Sequence, residues 1–189
     1  MSAPDEINIA NLRESLGRVV YSHKTHEKAR EIESAKTAVI KWFNIILTAL
    51  TAGSIFSALT TDEHVLLVIG AVISMIAVAF VVFQLSFDPR GSEERHRATA
   101  KQLWLIREQY QLLLVDMMET QTAGQDLLVR RDTLVADLGI VYSQAPNTSP
   151  RAYKKAQTAL QVKDDMTFSD EEIDRFLPLV LQTTNRKPD

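Results

Sequence analysis

Two uncharged runs restrict this chain more than any other feature. Residues 42–60 number nineteen and residues 65–87 twenty-three, and neither contains an Asp, Glu, Lys, Arg or His. About twenty apolar residues, rising ~1.5 Å each, cross a bilayer core. Thr61, Asp62, Glu63 and His64 join the two runs, so the pattern predicts a two-helix transmembrane hairpin. The core helix of a soluble protein would keep a polar face, whereas the second run has only Ser74, Gln84 and Ser86 scattered around it. A signal peptide does not fit, because the first run starts about forty residues into the chain and a second span follows at once.

The flanking charges orient the hairpin. Lys24, Lys28, Arg30, Lys36 and Lys41 precede the first span, Arg90, Arg95, Arg97 and Lys101 follow the second, and the connector has no Lys or Arg. The positive-inside rule then predicts that both termini are cytoplasmic, with Trp42 as an interfacial anchor at the inner edge. The connector is left outside, where it is too short to form a receptor domain.

Outside the hairpin the chain is polar, and its hydrophobic spacing is helical throughout. Leu12, Leu16 and Val19 recur at four and three, with His23 and His26 continuing the stripe. Neither Gly nor Pro interrupts residues 19–52, so one long helix is predicted from about Asn11 into the membrane, after a loose end at residues 1–10. Asp88-Pro89-Arg90-Gly91 breaks the second span, and Ser92 is a candidate cap for the next helix. That helix presents Leu103, Ile106, Tyr110, Leu113 and Met117, with Trp104 beside them, to about Gln121. Gly124 ends or kinks it, and Leu127, Leu134, Leu138 and Val141 mark another helix over about 125–142. Ser149 and Pro150 predict a cap and first turn for a short helix through Leu160. Ser169 and Glu172 predict a capping box for a last helix over 169–177, with Pro178 at its end.

Nowhere does period-two alternation persist, so the expected class is all-α: a membrane protein with a two-helix transmembrane hairpin and a cytoplasmic helical bundle. The expected divisions are 1–41, the N-terminal helix leading into the membrane; 42–87, the hairpin; 88–145, a helical region; and 146–189, a helical tail.

No catalytic constellation emerges. The 189 residues contain no cysteine, which removes disulfides, thiolate nucleophiles and zinc–thiolate sites. There is no glycine-rich phosphate loop, paired-His metal motif or local Ser-His-Asp signature. His23 and His26 lie three apart on one helix, but two ligands without an acidic partner are too few to hold a metal, and a packed or interfacial pair is the simpler reading. His64 and His96 are read as isolated surface residues. The acids Asp164, Asp165, Asp170, Glu171, Glu172 and Asp174 suit a solvated helix start. The expectation is a non-enzymatic protein without cofactor or metal. Dispersed acid–base chemistry would have only His23, His26 and His96 to use.

The spans do carry assembly signals. Ala49, Gly53 and Ser57 are four apart on the first, and Gly70 and Ser74 repeat the spacing on the second; small residues at this interval let backbones approach closely in lipid. They are candidate packing positions, either within one hairpin or between protomers. Asn44, Thr48 and Thr51 share a polar stripe on the first span, and polar groups inside a membrane tend to face protein or water. They are candidate pore-lining residues if several hairpins surround an axis. The alternative is that the threonines bond back to their own helix and Asn44 pairs with Gln84. Two spans cannot enclose a water-filled path alone, so a pore requires a homo-oligomer. The tail has a basic block, Arg151, Lys154, Lys155 and Lys163, followed by the acids. The blocks suit docking between protomers, contact with anionic membrane lipid, or a nucleotide ligand.

Taken together, Tyr21, His23, Lys24 and Glu27-Lys28 on a basic helix, the hairpin, and His96, Trp104 and Arg107 on the following helix resemble the SLATT domain family, the two-transmembrane effectors associated with bacterial SMODS nucleotide-synthase and SLOG sensor systems. Arg151-Ala152-Tyr153, Glu172-Ile173-Asp174 and Leu177-Pro178 in the tail are similar to some members. The resemblance implies an oligomeric effector of the bacterial inner membrane that forms pores or disrupts the membrane on receiving an infection signal, often a nucleotide, as part of antiviral defence. These residues include no stretch that resembles a SLOG or nucleotide-sensing domain, so the expectation is that a separate nucleotide-synthase or sensor protein is the trigger. A membrane-anchored helical scaffold or adaptor is the alternative.

Overall fold

The first helix begins earlier than its sequence suggests. In the computed structural model, which describes residues 3–60, 64–120 and 124–182, α1 (Ala3–Thr60) is a single helix of 58 residues, about 87 Å long at ~1.5 Å per residue. The loose end expected before Asn11 is therefore helical from Ala3. Pro4 falls in the first turn, where a helix has no use for its missing N–H, and Ile9 joins Leu12 in the core.

The remaining elements are α2 (His64–Ser86), α3 (Pro89–Thr120), α4 (Gln125–Gln144), α5 (Pro150–Val162), α6 (Asp170–Asp174) and a 3-10 turn at Leu179–Leu181. The described residues contain no strand, and the fold is all-α as the periodicity predicts. Connector residues 61–63 lie outside the described residues.

Helix starts follow local chemistry, with one change of residue. Asp88, rather than Ser92, caps α3: its carboxylate accepts from the Gly91 N–H at 2.9 Å and its carbonyl from the Ser92 N–H at 3.1 Å. A Cβ at position 91 would collide with that carboxylate, so glycine is what allows the fold-back. Ser149 caps α5 by accepting from the Ala152 N–H, with Pro150 in the first turn. Ser169 and Glu172 form the capping box of α6, but this helix closes at Asp174 and gives way to a turn.

α1 is the spine. It packs on α2 along the hairpin and on α3 and α5 in the helical body, while α4 lies against α3. Leu12 and Val19 interlock with Leu103, Ile106, Tyr110, Leu113 and Met117, and Leu134 and Val141 close the other side. These are the stripes that the three-four spacing picks out. α5 packs through Ala152, Ala156 and Ala159, all buried, whose short side chains bring its backbone close to α1.

The two spans are different. Of the most apolar eighteen-residue stretch in each, only 6% is buried; Trp42, Ile46, Phe56, Val68, Met75, Val78 and Leu85 are all exposed. Buried soluble helices would show the reverse. Exposed apolar surface of this extent is satisfied by lipid, so α2 and the second half of α1 form the transmembrane hairpin.

Candidate functional site

Within the hairpin the polar and small residues divide between two faces. The side-chain amides of Asn44 and Gln84 donate to each other, both bonds at 3.0 Å. Beside them Phe43 and Phe80 meet edge to face with ring centroids 4.5 Å apart, and Leu47 is buried. Further along, Gly70 is buried against Ser54: a Cβ on Gly70 would stand 2.6 Å from the Ser54 hydroxyl. Ser74, one turn on, donates to the Gly70 carbonyl at 2.9 Å. Gly70 and Ser74 thus belong to the seam of the hairpin.

Ala49 and Gly53 do not. Both are exposed, and a Cβ on Gly53 would meet nothing within 4 Å. At 100° per residue Ala49 lies about 160° and Gly53 about 120° from Leu47, turned away from α2; Ser57, half-buried, lies about 80° from Leu47, nearer the seam. In the polar stripe, Thr48 donates to the Asn44 carbonyl at 2.8 Å and Thr51 to the Leu47 carbonyl at 2.9 Å. Thr48 is exposed and Thr51 half-buried. Asn44 faces the partner helix, and the threonines flank that contact.

Within the helical body, about four to five turns before the first span, a cleft of about 600 Å³ opens between α1, α3 and the turn after α5. Its walls carry Lys24, Arg30, Arg97, Lys101 and Arg107, with Trp104 and Phe168 at its apolar edge. Lys24 is almost fully buried, yet its ammonium contacts Glu27 at 2.8 Å and Asp165 at 2.7 Å. Burial pulls its pKa down, but the two carboxylates outweigh that and hold it above the ordinary lysine value. The Lys24 hydrogen bond likewise holds Asp165 below the usual carboxylate range. Asp165 reaches this position because Asp164 and Met166 adopt left-handed backbone angles, φ 49° and 74°. There the chain reverses after α5, and the Asp165 N–H bonds back to the Ala159 carbonyl at 3.0 Å. Arg107 Nη1 donates to Met166 Sδ at 3.9 Å, fastening the same turn to α3. Tyr21 faces Tyr153 with ring centroids 6.2 Å apart and accepts from Gln161 at 2.7 Å.

Behind this cleft three histidines are buried between α1 and α3. His23 Nδ1 lies 2.8 Å from the Ala100 carbonyl; a carbonyl only accepts, so this nitrogen carries the proton. His26 Nδ1 lies 3.0 Å from His96 Nδ1, which requires one ring to donate and the other to accept. His96 is therefore not the isolated surface residue its sequence context suggests. Burial, reinforced by the neighbouring His96 and His23, lowers the His26 pKa to about 4. Burial lowers His96 as well, against an opposing pull from Glu33. Both imidazoles are neutral at pH 7. His64 is exposed at the start of α2. Among the described residues no three His, Cys, Asp or Glu side chains gather as metal ligands.

The His26–His96 pair and the Lys24–Asp165 clamp join residues far apart in the chain, and neither has a local motif. A partial signal exists: His23, Lys24, Glu27, Trp104 and Arg107, which carry the family resemblance in sequence, all line this one cleft.

No curated protein and no solved structure is similar enough to this chain to count as a match. A family model described as SMODS and SLOG-associating 2TM effector domain family 4 matches residues 9–172, which takes in both spans, the cleft, the histidine pair and α5. With most of its length matched, and with a lipid-exposed two-helix hairpin of the kind the description names, the chain belongs to the SMODS and SLOG-associating 2TM effector domain (SLATT) family.

Proposed function

We propose that this protein is an oligomeric, non-enzymatic effector of the bacterial inner membrane, part of an antiviral system, with both termini in the cytoplasm. On an infection signal its hairpins assemble or rearrange to permeabilise the membrane and end the infected cell. The observation that carries this reading is the continuity of α1: one unbroken helix bears the Lys24 and Glu27 wall of the cleft and, four to five turns on, the first span. A helix transmits displacement along its axis, so a change at the cleft reaches the membrane without an intervening hinge. Lys24, Arg97 and Arg107 in the cleft pair with Glu27 and Asp165, Glu93 and Glu108, while Arg30 and Lys101 beside Trp104 and Phe168 suit a phosphorylated aromatic molecule such as a nucleotide. The family description points to a separate SMODS or SLOG protein as its source or sensor.

Support for assembly comes from what the single chain leaves uncovered. The Ala49–Gly53 side of α1 meets nothing in the hairpin, and Leu105, Leu112 and Val115 of α3 are exposed. In a ring of hairpins, Thr48 and Thr51 are the residues we assign to the lumen. The test is dye release from liposomes containing the purified protein, comparing wild type with Thr48→Phe and Thr51→Phe, after confirming equal insertion. Loss of release in the variants supports the assignment, and unchanged release removes these residues from the lumen.

The pairing of Asn44 with Gln84 favours a second reading, a membrane-anchored scaffold, because it uses part of the polar stripe inside the hairpin. If so, an unrelated hairpin in place of residues 42–87 preserves activity; in the pore reading it abolishes it.

A further inference from the structure

Where the spans meet the helical body, an apolar groove of about 680 Å³ runs between α1, the end of α2 and the start of α5. Val39, Ile40, Phe83 and Phe87 form its floor, and Arg151 and Lys155 stand at its rim. Arg151 and Lys155 also line a neighbouring cleft of about 560 Å³ with Lys154 and Lys163. The two openings are therefore continuous, apolar toward the membrane and basic away from it.

The charges there are not spent internally. Lys28 pairs with Glu31 and Lys36 with Glu33, each within α1, and Asp165 is held by Lys24. Asp88 is engaged as the cap of α3. No ion pair to a described residue forms at Arg151, Lys154, Lys155 or Lys163, and Arg151, Lys154 and Lys155 are exposed. Arg151 and Lys155 at the mouth of the groove, and Lys154 and Lys163 in the adjoining cleft, all without an ion pair to a described residue, stand at the level where a bilayer has its phosphates and complement one class of molecule.

The geometry points to a binding site for an anionic phospholipid, its acyl chains along Val39, Ile40, Phe83 and Phe87 and its phosphate between Arg151 and Lys155. Basic pockets beside transmembrane helices select anionic headgroups, and continuity of the groove with the lipid-exposed surface of the hairpin gives the acyl chains their path. The site ties α5, and through its alanine face α1, to the membrane surface. It depends on the hairpin being in the bilayer and not on the pore reading, since its readout is lipid binding rather than leakage.

The experiment is native mass spectrometry of the full chain in mild detergent, titrated with phosphatidylglycerol or phosphatidylcholine of matched acyl chains, with glycerol 3-phosphate as competitor. Wild type retains phosphatidylglycerol in preference to phosphatidylcholine, and glycerol 3-phosphate at equal concentration does not displace it. R151Q/K155Q weakens retention roughly 25-fold, about fivefold per cation. Both residues are exposed, so the fold tolerates the change. R13Q/R130Q, with the same loss of charge but no residue in the groove, binds like wild type. Equal retention of the two lipids, displacement by glycerol 3-phosphate, an unaffected R151Q/K155Q, or an equal loss in R13Q/R130Q would each overturn the site.

Discussion

Asn44 and Gln84 sit opposite each other near the inner end of the two spans, each amide both donor and acceptor to the other at 3.0 Å. In hydrocarbon such a pair is worth about 1 kcal/mol, because either amide alone lacks a substitute for water. Asn44→Leu or Gln84→Leu should each destabilise the hairpin by about that much, and the double replacement should recover most of the loss. Thermal unfolding of the four proteins in one detergent gives the coupling; strictly additive effects would mean the pair contributes nothing.

Gly70 and Gly53 should respond oppositely to a larger side chain. Gly70→Leu pushes into Ser54 at the seam of the hairpin and should lower the melting temperature of the monomer. Gly53→Leu enters open space and should leave the monomer intact while weakening any assembly that uses the Ala49–Gly53 side. Unfolding together with light-scattering mass in detergent separates the two effects. If Gly53→Leu melts early as a monomer, the assigned direction of that face is wrong.

Acid should loosen the body through the histidine pair. The folded-state pKa of His26 is about 4, against an ordinary 6.5. As pH falls, the unfolded chain takes up this proton before the folded one. The stability tied to His26 is thus complete above about 6.5, erodes between about 6.5 and 4, and is gone below. His96 adds to the effect in the same direction. The melting temperature should fall between pH 7 and pH 5, and should fall less in His26→Phe; an identical slope in that variant would assign the effect elsewhere.

Tyr110 is buried in the core, and its hydroxyl finds no hydrogen-bond partner among the described residues; burial pushes its pKa above the ordinary value. A buried unpaired hydroxyl costs about 1–3 kcal/mol of desolvation. Tyr110→Phe should therefore unfold at the same temperature as wild type or a higher one. A clear drop in chemical denaturation would show that the hydroxyl has a partner.

The legible parts of this protein are those where one helix reports on its own surroundings. Uncharged runs of nineteen and twenty-three residues point to their solvent without a fold, because they are apolar nearly all the way round and long enough to cross a bilayer core. The three-four stripes at Leu12–Val19 and Leu103–Met117 name the faces that pack, and Ser149-Pro150 and Ser169–Glu172 name helix starts, since capping is settled within a turn. Where two local solutions compete the sequence is ambiguous: Asp88 rather than Ser92 caps α3, because Gly91 lets the aspartate fold back.

What residues do to distant residues was decided only in three dimensions. His96 has no sequence neighbour to mark it as buried, and it meets His26 because α3 returns along α1 after the hairpin reverses the chain. Asp165 looks like one acid in a solvated run until the left-handed turn at Asp164 and Met166 carries it to Lys24. Gly53 and Gly70 share a motif, yet only the rotation of each helix about its own axis puts Gly70 of α2 in the seam and Gly53 of α1 outside it. Composition and periodicity are properties of one helix and its solvent, whereas pairing depends on how helices are set against one another, which no single stretch of sequence encodes.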